Sequence, residues 1–122
     1  MPKKTVAVGV HFNGSTNNGK LEIRVTPWKV GVTAGSTDYI EWAPVGINGQ
    51  PNNVTWIEVE AYDPGTWPFP GSGKHSGSKP KTQPVKSGAA AGTSEAYTIT
   101  VYFNDDQGYE RSATLDPDMV IE

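Results

Sequence analysis

Glycine and proline break this chain at short intervals, fourteen of one and ten of the other in 122 residues. Proline cannot donate to a helix or a central ladder, and glycine loses the most backbone freedom on ordering. Such punctuation disfavours helices of normal length and favours short strands joined by turns. Between the breaks the hydrophobic residues alternate. Val6, Val8, Val10 and Phe12 share one face of a strand over residues 5–12, and Leu21, Ile23 and Val25 do so over 20–26, with Glu22 and Arg24 opposite. NGSTNNG, residues 13–19, reads as the turn between them, because Asn and Gly tolerate positive φ. Pro27 interrupts the pattern, Trp28, Val30 and Val32 resume it, and a fourth strand covers 38–42 after a turn at Ala34-Gly35-Ser36.

Residues 43–53 are rich in Gly, Asn and Pro and read as a loop. In the strand over 54–62 we place Thr55, Ile57, Val59 and Ala61 in the core, since the other face would bury Glu58 and Glu60; Trp56 then lies half-covered on the outer side or at a sheet end. The clearest hairpin closes the chain. Tyr97, Ile99, Val101 and Phe103 alternate with Thr98, Thr100 and Tyr102, and NDDQG turns into a strand carrying Tyr109, Arg111, Ala113 and Leu115 on one face. Asp116-Pro117 is a break before a short terminal strand at 119–121. The pattern predicts one all-β domain over 1–122, a two-sheet Greek-key sandwich of seven or eight strands.

Residues 63–94 depart from it, with neither strand nor helix period. The aromatics of DPGTWPFP are expected to order its start, and 71–94 is expected to be a flexible loop rich in Gly, Ser, Pro and Lys. It contains Lys74, Lys79, Lys81 and Lys86, one His and no acid, while all thirteen carboxylates lie elsewhere. Loop-closure entropy grows slowly with length, so shortening such a loop is expected to leave stability nearly intact.

Zero cysteine excludes disulfides, thiolate nucleophiles and Cys-based metal sites. The formal net charge of −3 selects no partner class. Lys3 and Lys4 precede an apolar stretch too short and too alternating for a signal peptide, and no run reaches membrane-spanning length, so the chain as written reads as soluble.

With the strands ordered, YIEW after a Gly turn and the ending YTITVYFNDDQGYERSATLDPDMVIE resemble the cupredoxins and their copper-free relatives, including small bacterial domains of uncertain function. Immunoglobulin-like sandwiches share much of the same pattern. In the copper-binding members a His follows the strand matching residues 38–42, and Cys, His and Met lie on the closing hairpin; residues 43–53 have no His, and 96–115 have no Cys, His or Met. Blue copper needs a thiolate and two imidazoles, so no copper ligand carries over and neither metal nor cofactor is expected.

His11 and His75 stand in different contexts and read as ordinary residues rather than a shared metal site. Asp105 and Asp106 favour a hairpin turn over a calcium loop, the spacing being wrong for an EF-hand. Glu58 and Glu60 share a strand face near Asp63, but glycosidase carboxylates act across a cleft, so no enzyme is expected. Trp67 and Phe69, held between prolines, either form a rigid aromatic surface or cap one end of the sandwich, and capping is favoured. The residues expected to meet a partner are Trp67, Phe69, Lys74, Lys79, Lys81 and Lys86. The function expected is a non-catalytic interaction module for a protein or glycan, monomeric or weakly self-associating. Alternatives are an assembly domain pairing through edge strands, or a carbohydrate-binding module with exposed Trp and Phe. Nucleic acid is disfavoured, because no aromatics interleave the basic run.

Overall fold

The computed structural model describes residues 3–13, 20–47, 49–105 and 108–122, with side chains for all of these but 12, 13, 20 and 21. Nine strands and no helix occur among the described residues: β1 (Lys3–Asn13), β2 (Lys20–Thr26), β3 (Lys29–Val32), β4 (Tyr39–Pro44), β5 (Val54–Ala61), β6 (Lys74–Gly77), β7 (Thr93–Asn104), β8 (Glu110–Leu115) and β9 (Asp118–Ile121). They form two mixed sheets, one ordered β2-β1-β4 and the other β3-β9-β7-β5-β6, with β8 also paired to β7. The all-β, two-sheet architecture is as the alternation predicts. There are nine strands rather than seven or eight, and β6 is the unforeseen one. No helix of the described chain is long and apolar enough to cross a membrane.

Pro27 explains how one stretch serves both sheets. It has no N–H for a ladder, so β2 stops there. The chain then resumes as β3: β2 pairs antiparallel with β1, and β3 pairs parallel with β9. β1 also pairs parallel with β4. The twelve-residue β7 divides one edge between two partners, β9 at 93–96 and β8 at 99–104, while β5 takes the other edge.

The inward faces meet as the alternation requires. Val6, Val8, Val10, Ile40 and Trp42 of the smaller sheet are buried, as are Ile57, Val59, Ile99, Val101 and Phe103 of the larger one. Ile99→Ala is therefore expected to cost about 2–5 kcal/mol in urea denaturation. Thr100→Ala, which loses only an exposed hydroxyl contact to Thr114, should cost under about 1 kcal/mol. Equal losses would show that the facing of β7 is wrong.

Three local expectations need revision. In β5 the register shifts between Val54 and Trp56. Val54 turns in, and Thr55 joins Trp56 outside. A bulge lets consecutive residues share a face, and here it buries the valine and frees the threonine. The loop at 43–53 begins later than expected, since β4 runs to Pro44. Val45 N–H donates to the Val8 carbonyl, and the loop crosses β1 at Gly9, where an added Cβ would stand 2.7 Å from Ile47 Cγ2 and 3.0 Å from the Val45 carbonyl oxygen. The turn expected at 13–19 lies, from residue 14 onward, outside the described residues, as do Asp106 and the side chains of Phe12 and Leu21.

The third revision is the largest. The segment expected as an unstructured loop at 71–94 contains β6, paired antiparallel with β5, and a stretch lying along the free edge of β4. Trp42 N–H donates to the Pro80 carbonyl at 2.9 Å, Thr82 N–H to Ile40 O at 2.8 Å, and Val85 N–H to Asp38 O at 2.8 Å. Ile40 N–H is satisfied by Thr82 Oγ1 at 3.0 Å. Glu41 and Lys81 face each other across this join. Pro80, Thr82 and Val85 are buried. The segment is short of apolar side chains, but its backbone supplies partners that an open sheet edge would lack.

Candidate functional site

Trp67 and Phe69 are 0% and 1% exposed, so they belong to the core rather than to a surface a partner could reach. They close one end of the sandwich with Trp42, Tyr97 and His75. Trp67 packs edge-on against Phe69 and Tyr97, with centroids 5.5 and 6.2 Å apart. His75 lies near the rings of Trp42 and Trp67, at 6.3 and 6.0 Å. Both indole N–H groups here are paired. Trp67 Nε1–H donates to His75 Nε2 at 3.2 Å, and Trp42 Nε1–H donates to the Tyr97 hydroxyl at 3.3 Å. Burial pushes the Tyr97 phenol up to about 12.

The His75 imidazole is held below its ordinary value by burial. Unfolded, it titrates near about pH 6.5. The unfolded chain thus binds the extra proton first as pH falls. This contribution to stability is complete above about pH 6.5 and is lost as pH drops through that value toward the lower folded one. His75→Gln, which keeps an acceptor for Trp67, is expected to flatten that part of the urea-midpoint profile. An unchanged slope would remove His75 as its source.

The four candidate lysines are not drawn into one site with the aromatics. Lys74 lies on β6 and pairs with Glu60 at 3.4 Å. Lys81 and Lys86 stand on the stretch beside β4, with Lys79 just before it. Asp63 Oδ1 accepts the Gly65 N–H of the turn that follows β5. Asp105 is buried and holds the closing hairpin, accepting from Tyr109 N–H and from Arg111 Nε at 2.7 Å. Among the described residues, no three or more His, Asp or Glu side chains converge on a metal-sized site.

A different surface brings chemistry together: the outer face of the larger sheet. Because Ile57, Val59, Ile99 and Val101 point inward, their neighbours stand outward in rows across the strands. One row joins Trp56, Tyr102 and Ser112; the next joins Ser76, Glu58, Thr100 and Thr114; a third joins Lys74, Glu60 and Thr98. Trp56 is 44% exposed. Tyr62, at the end of β5, is 65% exposed and its hydroxyl lies 3.4 Å from Asp116 Oδ1, which also accepts from Thr98 Oγ1. The Tyr102 hydroxyl donates to Glu58 Oε1. That bond, followed by burial and the nearby charges of Glu58 and Glu110, holds the phenol above its usual value. Between the second and third rows is a shallow trough of about 250 Å³, lined by Glu58, Glu60, Lys74, Ser76, Thr98 and Thr100 among others.

The burial of Trp67 and Phe69 agrees with the end-capping reading favoured for them from the sequence, and leaves Trp56, which that reading did not single out as a partner contact, exposed. The signal was present in the alternation Trp56, Glu58, Glu60 beside Thr98, Thr100, Tyr102; what it lacked was the pairing that lays them side by side. No family model matches the chain, and no curated protein matches it significantly. The functional reading therefore rests on geometry.

Proposed function

We propose that this protein is a non-catalytic binding module, a metal-free cupredoxin-like sandwich that engages its ligand through the outer face of the β6-β5-β7-β8 strands. The observation that carries the reading is the half-exposed Trp56 in register with Tyr102, on an open face otherwise lined by hydroxyls and carboxylates. A large aromatic left in water near the start of β5, beside the bulge and paired across to β7 alone, forgoes burial worth roughly 2 kcal/mol or more, and such rings serve stacking and anchoring. The hand-over between sheets at Pro27 and the parallel pairs β1–β4 and β3–β9 are compatible with such a mixed sandwich.

The carboxylates support binding rather than hydrolysis. Glu58 and Glu60 stand two positions apart on one strand, side by side on an open surface, and each already has a partner, Tyr102 and Lys74. Paired glycosidase carboxylates instead flank a scissile bond. Probing a glycan array and a peptide array with wild type and Trp56→Ala tests the reading. At least one ligand is expected to be bound by wild type and lost in the variant. Identical profiles for the two proteins would move the site elsewhere.

A further inference from the structure

We infer that this face takes a glycan chain bearing free amino groups, with one sugar ring on Trp56 and the ammonium of a neighbouring ring between Glu58 and Glu60. The inference rests on the binding-module reading above and names its ligand. Three features of the face select this chemistry.

The first is shape. The trough beside Trp56 has a volume of about 250 Å³, below the roughly 300–1,000 Å³ of pockets that enclose a drug-sized molecule. It is about half open to solvent, whereas the aromatic and Arg anchors of protein interfaces sit in fully desolvated pockets. A pyranose needs no such depth, because its C–H face stacks on an exposed indole and its hydroxyls bond at the rim. Thr98 and Thr100 supply rim hydroxyls.

The second is charge. Glu58 and Glu60 line the trough with Lys74, which pairs with Glu60, and with the half-buried His75, whose burial disfavours its charged form, so the carboxylates outweigh the cations there. Anionic glycans and nucleic acid would be repelled, while an ammonium would be drawn to the carboxylates and by the Trp56 π face. The third is spacing. Alternate residues on one strand are separated by about 6–7 Å, so the Trp56 row and the Glu58 and Glu60 rows are offset by a distance of the order of one pyranose. Consecutive rings then meet aromatic and carboxylate in turn.

The test is titration calorimetry of the full chain with glucosamine oligomers at pH 6, beside the fully N-acetylated oligomers, cello-oligomers and polylysine. Glucosamine oligomers should bind at least tenfold more tightly than the N-acetylated and neutral ones, and lose affinity as salt rises. Glu58→Gln/Glu60→Gln should remove that preference, and Trp56→Ala should abolish glycan binding while circular dichroism stays that of the wild type. Equal affinity for all three glycans, lost in Trp56→Ala, would overturn the amine assignment and leave the binding face standing. Binding of polylysine alone would overturn the glycan assignment. Binding by none of the probes would overturn this inference, while the array comparison would still test the face independently.

Discussion

Replacing residues 73–87 by a short Gly-Ser link is expected to cost on the order of 5 kcal/mol, comparable with the whole margin of a domain this size. The segment removed includes β6 and the stretch that lies along β4. With it go the buried Val85 and Pro80, the His75 ring beside Trp42 and Trp67, and the backbone partners of Ile40, Trp42 and Ala61. Loop-closure entropy favours the shorter chain only slightly, because it changes with the logarithm of length. Thr82→Val isolates one part of the effect. It keeps the volume but removes the acceptor of the Ile40 N–H, and a buried donor left without a partner costs about 1–3 kcal/mol. Urea denaturation reads both, and an unchanged midpoint in the shortened protein would show that the segment contributes nothing to the fold.

Trp67→Ala is the second large effect, about 3–5 kcal/mol. The indole is fully buried among Phe69, Tyr97 and His75, and its loss also removes the donor to His75 Nε2. Trp56→Ala, on the outer face, should cost under about 1 kcal/mol. The same pair of variants reverses in a binding assay, where Trp56 matters and Trp67 acts only through folding. If Trp67→Ala proved as mild as Trp56→Ala, the aromatic end of the sandwich would not be a core.

Much of the fold was legible because each long strand carries its own alternation. β7 declares Tyr97, Ile99, Val101 and Phe103 inward without reference to any partner, and all four are buried. The failures fell where a residue's state depends on the backbone of another segment. Thr55 follows the period of its strand on paper, yet the bulge against β7 reverses it. Residues 80–86 have too few apolar side chains to announce a strand. They are ordered by backbone carbonyls and amides and by the Thr82 hydroxyl, which no hydrophobic pattern can reveal. Val85 between Pro84 and Lys86 was the one apolar hint, and prolines are themselves tolerated at sheet edges. The outer face was legible in parts, as Trp56 with Glu58 and Glu60, and as Thr98 with Thr100 and Tyr102. Their adjacency required the β5–β7 register.

The stretch beside β4 also accounts for the uneven charge of the chain. A sheet edge is a template on which a second molecule can add its own strand, and lysine and proline are what natural proteins place there against it. Here Pro80 and Pro84 alternate with Lys79, Lys81 and Lys86 along the last segment of the smaller sheet. Two copies approaching through this edge would bring their ammonium groups together over a backbone too kinked by proline for a continuous ladder. By that argument the lysines of this edge are expected to disfavour edge-to-edge growth, and neutralising them to promote it.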